Sequence, residues 1–230
     1  FVANTKQENN SYSNTHIYTR MPGDLIASEY VVATDCGGFV EDMFRRAKSG
    51  GLEQLKTKKF KTRFSIFDWH PSIEKEEAFT RIRKVPDIQP GDVAVWLYMN
   101  MGTHTLPGHM LFIDSVPVKL EKPRKPVVEG LDQYEVTIID TSQEAKSRDD
   151  TRYVSDAALR DENEAKGKQR GSVASPNYKG VGRGHIRFYA DAAGDIKGIA
   201  FSFDKAKFHG LDDWNIVVWR PRLVAIGAKP

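Results

Sequence analysis

The stretch from Asp35 to Ser49 reads DCGGFVEDMFRRAKS, and its spacing of apolar residues predicts an amphipathic helix. Six residues share one face of that helix: Cys36, Phe39, Val40, Met43, Phe44 and Ala47. Thr34 or Asp35 can serve as the N-cap, and the glycines after Ser49 end the helix because glycine tolerates left-handed backbone geometry. Cys36 is therefore expected in the first turn of a helix that buries the face it occupies.

Strands are predicted further along the chain. Alternating or apolar runs occupy 93–98, 109–116, 134–140, 186–190, 199–203 and 215–219, and a short helix is predicted around Glu74 to Arg83. Because the main helix precedes a set of strands joined by turns, the predicted fold class is α+β with an antiparallel sheet.

The length and composition fit one soluble globular domain. The chain has 230 residues, 40% of them hydrophobic and 28% charged, which predicts a single domain over 1–230. Polar residues 1–20 are expected to form a tail, and 142–184 to form an inserted loop or lid. A net charge of +3 is weak evidence for nucleic acid, and no apolar run approaches the ~18 residues of a membrane span. Neither a nucleic-acid partner nor a membrane span is therefore predicted.

Cys36 is the only cysteine, so the chain has no internal disulfide. A lone cysteine is most often a small buried core residue. At a helix N-terminus, however, unpaired N–H groups and the helix dipole lower a thiol pKa, and a thiolate is a nucleophile. This position makes Cys36 a candidate catalytic residue.

His109 and Asp140 are the candidate partners of this thiol. His109 opens a strand directly after a glycine, where its side chain can meet a helix N-terminus and act as a base. If the strands that contain His109 and Asp140 are antiparallel neighbours, both side chains lie on one face and the carboxylate can orient the imidazole. The alternative role for Asp140 is to cap the turn at the end of its strand.

Other chemistries lack their signatures. A cysteine phosphatase needs an arginine six residues after its cysteine, and Asp42 stands there. There is no His-Glu-x-x-His motif, no pair of cysteines and no Walker loop, so neither a metal nor a cofactor is predicted. The glycine-rich run 180–184 is interpreted as a flexible turn, because His185 stands where a dinucleotide-binding motif requires its next glycine.

Four short blocks resemble the NlpC-like cell-wall peptidases. Residues 35–40 (DCGGFV) are similar to the Asp-Cys-Ser-Gly-Phe-Val helix start of that family, and 90–93 (PGDV) to its Pro-Gly-Asp-Leu strand entry. Residues 108–113 (GHMLFI) resemble its His-Val-Gly-Ile strand, and 138–142 (IIDTS) fall where its third catalytic residue ends the next strand. Gly37 replaces the usual serine, and Asp140 replaces a histidine.

This resemblance implies a divergent cysteine peptidase with a papain-like core, in which a catalytic helix packs on an antiparallel sheet. Cys36, His109 and Asp140 would form its catalytic triad. The thiol of Cys36 would form a thioester intermediate with the substrate, and the Cys36 N–H would bind the oxyanion. Tyr30, Asp35 and Gly37 are the implied supporting residues of the site.

The implied substrate is an amide bond in the peptide stems of peptidoglycan, commonly the bond from γ-D-glutamyl to a diamino acid. Alternatives are an N-acetylmuramoyl amidase of the CHAP type, another acyl hydrolase or transferase, or a non-catalytic wall-binding module. The resemblance and the non-methionine start at Phe1 together predict an exported protein, periplasmic or extracellular.

Overall fold

A computed structural model describes the residue ranges 5–13, 18–22, 24, 28–49, 52, 64–76, 79–99, 107–147, 149–154, 179–203 and 207–221. Their helices are α1 (Cys36–Arg46), α2 (Ile66–Glu74) and the single turn α3 (Thr151–Val154). Their strands are β1 (Thr5–Tyr12), β2 (Tyr18–Arg20), β3 (Tyr30–Thr34), β4 (Phe79–Ile82), β5 (Val93–Tyr98), β6 (Gly108–Ile113), β7 (Val118–Lys119), β8 (Asp132–Ser142), β9 (Gly180–Ala190), β10 (Ile196–Ala200), β11 (His209–Gly210) and β12 (Trp214–Pro221).

The described strands form two sheets. Nine of them make a large antiparallel sheet in the order β11-β10-β9-β8-β6-β5-β12-β4, with β7 paired to β8. The other three make a small sheet in the order β1-β3-β2, in which β1 runs parallel to β3 and β2 antiparallel to it.

The predicted α+β class, with a papain-like core, is wrong. The described chain is mainly β-structure in two sheets, and α1 and α2 are its only helices longer than one turn. The error arises because several polar or glycine-containing segments, which lack clear alternation, pair their backbones as strands. Tertiary pairing overrides such weak local preferences.

Individual elements show where the sequence pattern succeeds. Helix α1 begins at Cys36, as the apolar spacing predicts, but it ends at Arg46 with Ala47 as its C-cap, before the glycines that are expected to end it. The helix expected at Glu74 to Arg83 is wrong, because α2 ends at Glu74 and β4 follows from Phe79.

The predicted tail and inserted loop also contain regular structure. Within the tail at 1–20, Thr5–Tyr12 and Tyr18–Arg20 form β1 and β2. Within 142–184, Ser142 ends β8 and the glycine-rich run lies inside β9, so the expected flexible turn is wrong. Residues 155–178 of the proposed lid lie outside the described ranges.

The large sheet has a buried core on each face, because successive strand residues point to opposite sides. One core includes Trp96, Leu111 and Ile138. The other includes Val95 and Met110, together with side chains from α1 and α2: Cys36, Val40, Phe44, Ile66, Trp69 and Ile73. Met110 therefore faces α1, whereas the neighbouring His109 points to the opposite face, where its ring contacts Trp96 at 5.2 Å between centroids.

The Pro90-Gly91-Asp92 turn fixes the start of β5. Gly91 has a φ of 92°, a conformation that side chains with a Cβ rarely adopt. Asp92 is buried and accepts hydrogen bonds from the Gln89 N–H at 2.8 Å and from Arg220 Nε at 2.7 Å. This motif is thus structural, and it ties β5 to the end of β12.

None of the helices in the described ranges has the length and apolar composition of a membrane-spanning segment.

Candidate active site

Asp35 caps the helix that carries the thiol. Its Oδ1 accepts a hydrogen bond from the Gly38 N–H at 2.6 Å, so Asp35 rather than Thr34 is the N-cap. Cys36 is the first helical residue, and intrahelical hydrogen bonds leave the N–H groups of the first turn unused. The Cys36 N–H is therefore suited to bind a developing oxyanion, as a first-turn amide directed away from the helix body.

The thiol of Cys36 is buried, with 5% of the residue exposed. Burial raises its pKa to about 12, and the nearby Asp35 carboxylate adds to this, while backbone hydrogen bonds from Met110 and Gly37 oppose it. The sequence predicts a lowered pKa from the helix N-terminus, but in this environment burial outweighs the helix. Cys36 is consequently a neutral thiol near pH 7, and it needs a base to become a nucleophile.

His109 and Asp140 make a direct contact: His109 Nε2 lies 2.8 Å from Asp140 Oδ2, and both residues are buried. Strands β6 and β8 pair Phe112 with Ile139 and Ile113 with Ile138, and this register puts His109 and Asp140 diagonally on one face. Because Nε2 is taken by the carboxylate, Nδ1 is the ring nitrogen suited to accept a proton from a thiol. The pairing expected from hairpin geometry is therefore present.

The start of α1 lies against the start of β6. The backbone of Met110, the residue after His109, hydrogen-bonds the Cys36 thiol. A Cβ on Gly37 would lie 3.8 Å from Met110 Sδ, in ordinary contact. These contacts place Cys36 beside the backbone of Met110, and the Asp140 carboxylate is close enough to raise the pKa of Cys36 further.

Burial also lowers the pKa of His109, and the positive charges of Lys146 and Arg152 lower it further, while Asp140 opposes them. An imidazole with a pKa below its ordinary 6.5 is neutral at pH 7. Near pH 7 the thiol and the imidazole are therefore both neutral. Among the contacts of the described residues none joins Cys36 to His109, whose ring lies on the face of β6 opposite Met110.

Two buried cations bind Asp140, and neither is predicted by the sequence pattern. Arg152 donates from Nη2 to Asp140 Oδ1, and Lys146 Nζ lies 3.7 Å from Asp140 Oδ2. Burial by itself would raise the pKa of Asp140, but Arg152, Lys146 and His109 hold it well below its usual range. Asp140 is therefore ionised throughout the physiological pH range.

Lys146 also borders the imidazole through an aromatic side chain. Its Nζ lies 3.7 Å from the ring centroid of Phe201, whose centroid is 4.8 Å from that of His109. Burial lowers the pKa of Lys146 to about 8. Both cations come from a polar stretch without helical or strand periodicity, so the sequence carries no signal that predicts their burial.

Two tyrosines lie near the thiol. Strand β1 pairs Tyr12 with Thr34, two residues before Cys36. Burial raises the pKa of Tyr12 and of Tyr98, and the negative charge of a Cys36 thiolate would raise both further. Tyr30, which the family resemblance implies as a supporting residue, begins β3, about 13 Å along the strand from Thr34 at ~3.3 Å per residue.

The other described histidines have structural contacts. His70 Nε2 donates to the Asn215 carbonyl at 2.8 Å, His185 Nδ1 lies 2.5 Å from Glu135 Oε1, and His209 stacks on Trp214 with 3.6 Å between centroids. Within the described ranges, His109 is thus the histidine that contacts a fully buried carboxylate. The same ranges contain no group of three or more His, Cys, Asp or Glu side chains that could hold a metal ion.

Comparison with known proteins shows a similarity to a viral protein. The chain is 25% identical over 181 residues to an uncharacterized protein of Acanthamoeba polyphaga mimivirus, covering 76% of this chain and 71% of the viral protein. No protein-family model matches the chain. No solved structure matches it either.

Proposed function

We propose that this protein is a cysteine hydrolase that opens amide bonds through a thioester. The observation that supports the proposal is the 2.8 Å contact between His109 Nε2 and Asp140 Oδ2. The first residue of α1, Cys36, interacts with the backbone of Met110, the residue after His109. A thiol, an imidazole and a carboxylate in this order are the groups that nucleophilic acyl transfer requires.

In the first half of the reaction, His109 Nδ1 takes the thiol proton while the Cys36 sulfur attacks the carbonyl carbon of the amide. The resulting oxyanion is bound by the Cys36 N–H. The imidazolium then gives its proton to the leaving nitrogen, the C–N bond breaks, and a free amine and a thioester form. Asp140 accepts the Nε2–H bond throughout and stabilises the imidazolium.

In the second half, His109 Nδ1 takes a proton from water while the water oxygen attacks the thioester carbonyl. Collapse of the second oxyanion breaks the C–S bond, releases a carboxylic acid and returns the proton to the sulfur. Because the resting thiol and imidazole are both neutral, proton transfer accompanies the attack in each half.

The proposed substrate is a peptide stem of peptidoglycan, and support for it comes from the four sequence blocks that resemble the NlpC-like peptidases. An exported location would bring the enzyme to that polymer. The CHAP-like alternative, an N-acetylmuramoyl amidase, would use the same three residues on the bond between sugar and stem. A wall-binding module would bind the polymer without cutting it.

The test is digestion of purified peptidoglycan sacculi, with the soluble products identified by mass spectrometry. A stem peptidase frees an amino group within the stem, whereas an amidase frees the whole stem from muramic acid. Cys36→Ser should release nothing. Asp132→Asn, which alters only an exposed ion pair with Lys119, serves as the matched control and should act as wild type. Equal release by wild type and Cys36→Ser would refute the proposal, and sedimentation with sacculi without cleavage would favour the binding module.

A further inference from the structure

The glycine-rich run in β9 lies against Asp140, the residue whose carboxylate contacts His109. Strands β8 and β9 pair Asp140 with Gly182 and Ile138 with Gly184. A Cβ on Gly182 would lie 1.9 Å from Arg152 Nε, and a Cβ on Gly184 would lie 2.4 Å from Asp150 Oδ2. Both distances are far below van der Waals contact. The two glycines therefore create the space in which Arg152 and Asp150 pack.

Arg152 is bound on every side of its guanidinium. Nε donates to Asp150 Oδ1 at 3.1 Å, and Nη1 donates to Ser142 Oγ at 2.6 Å and to the Glu144 carbonyl at 2.7 Å. Nη2 donates to Asp140 Oδ1. The side chain is fully buried, so these bonds are not exchanged with water.

Arg152 and His109 bind different oxygens of Asp140. Arg152 contacts Oδ1 and His109 contacts Oδ2. A carboxylate that is held at both oxygens has a fixed plane, and that plane sets the direction of the hydrogen bond to the imidazole. Rotation of the carboxylate would break one bond or the other.

We infer that Arg152, seated over Gly182, is the residue that positions Asp140 and, through it, His109 for the reaction. The inference rests on the proposed function for its kinetic consequence, although the positioning itself can be observed without turnover. It assigns a role to the glycine run at 180–184, which admits the guanidinium and Asp150 beside β8.

Two substitutions of Arg152 separate positioning from a merely structural contribution. Arg152→Lys keeps the charge but loses the planar fork, so kcat should fall about 10²-fold, the scale for a small misplacement of a catalytic group, at unchanged KM. The acid side of its kcat/KM pH profile should not shift, because the charge near His109 is kept. Arg152→Gln should lower kcat by a similar factor. It should also raise the pKa of His109, and so shift the acid side of the kcat/KM pH profile to higher pH. The charged groups that act on His109 are Asp140, Lys146 and Arg152, and this substitution removes one of the two cations.

Two further substitutions leave all charges intact. Gly182→Ala should displace the guanidinium and lower kcat by ~10²-fold, and Ser142→Ala, which removes one acceptor of Arg152, should lower it by roughly threefold to tenfold. The control is Gly210→Ala in β11, where the added Cβ would meet Phe208 at 3.4 Å, an ordinary contact. It should keep wild-type kcat. If Arg152→Gln does not fold, Ser142→Ala still decides the question.

A spectroscopic readout distinguishes this inference from the proposed function. Proton NMR of wild type should show a downfield, slowly exchanging Nε2–H resonance from His109, which Asp140→Ala removes. Arg152→Lys and Gly182→Ala should broaden or shift it, and Gly210→Ala should not. If wild type cuts no amide but the resonance responds in this way, the positioning stands and the proposed function fails. If the resonance and kcat are both unchanged in Arg152→Lys, Gly182→Ala and Ser142→Ala, the inference is wrong.

Discussion

His109 Nε2 and Asp140 Oδ2 lie 2.8 Å apart, although the two residues are 31 positions apart in the chain. Both side chains are buried, so the carboxylate oxygen is shielded from solvent. The other oxygen of Asp140 accepts a hydrogen bond from Arg152, so each oxygen of this carboxylate has its own donor.

The substitution Asp140→Asn should therefore reduce kcat severely. Arg152 donates only, so it will bind the amide oxygen and turn the amide NH₂ toward His109. The ring must then present Nε2 as an acceptor and carry its proton on Nδ1, where it cannot take the thiol proton. The corresponding change in a serine triad costs ~10⁴ in kcat, and we expect a loss on the order of 10³ to 10⁴ in steady-state assays.

Asp140→Ala should differ from Asp140→Asn in stability. It leaves Arg152 and Lys146 buried without their shared anion, which typically costs about 3–5 kcal/mol of unfolding free energy. Urea unfolding measures this loss, and Asp132→Asn at the exposed pair with Lys119 should change it by less than ~1 kcal/mol. Equal activities for Asp140→Asn and wild type would show that the carboxylate only caps the end of its strand.

Alkylation of Cys36 should be slow near neutral pH and should accelerate as pH rises. Burial raises the pKa of this thiol to about 12, so little thiolate exists at pH 7 in the resting protein. The measurement is the iodoacetamide modification rate by intact-mass spectrometry across pH 6 to 10, with urea-unfolded protein as the reference for an ordinary thiol. A rate that is already at its plateau near pH 6 would instead indicate a resting thiolate–imidazolium pair.

Lys146 should make stability depend on pH in the alkaline range. Its folded-state pKa is lowered to about 8, against an ordinary 10.5, so its contribution to folding is fully present above 10.5 and is lost as pH falls through 8. The unfolding free energy of wild type relative to Lys146→Met should rise between these pH values by about 3 kcal/mol, since one pKa unit corresponds to ~1.4 kcal/mol. Lys197→Met, at an exposed pair with Asp191, should show no such trend. If the difference in unfolding free energy between wild type and Lys146→Met does not change with pH, the lowered pKa of Lys146 is contradicted.

Gly37→Ser should stabilise the protein slightly. An added Cβ would meet Asp35 Oδ1 and Met110 Sδ at 3.8 Å and the Phe64 carbonyl at 3.9 Å, all ordinary contacts. Serine is a better helix former than glycine, so thermal or urea unfolding should report a gain of about 0.5 kcal/mol. A loss of more than ~1 kcal/mol would show that the start of α1 is packed more tightly than these distances indicate.

The sequence was informative where one local pattern dominates. Helix α1 follows from its apolar face and from the Asp35 cap, and β5 follows from the turn that Gly91 and Asp92 form. The contact between His109 and Asp140 follows from pairing two alternating strands with a near-symmetric register. In each case the residues that decide the structure lie within one element or one hairpin.

The remainder depends on contacts between distant segments. Residues 5–12 are rich in polar side chains. They form a strand because their backbone pairs with β3, while the Asn10 side chain binds the backbone of β9, and no local period reveals these partners. The burial of Lys146 and Arg152 likewise follows from the anion at Asp140 and from the absence of a side chain at Gly182. The error in fold class has the same origin, since pairing between segments converted expected loops into strands.

Asn10 joins β1 to β9 through two hydrogen bonds, donating to the Val181 carbonyl at 2.8 Å and accepting from the Val181 N–H at 2.7 Å. The two residues are 171 positions apart in the chain. Closing so long a segment is entropically costly, and contacts of this span form slowly. A nascent chain that has left the ribosome only as far as residue 150 already contains Cys36, His109 and Asp140, but it lacks the strand against which the carboxylate is clamped. If the proposed function holds, catalytic competence should therefore arise only after synthesis has passed β9, so that an incomplete chain would expose no reactive thiol to the cell that makes it.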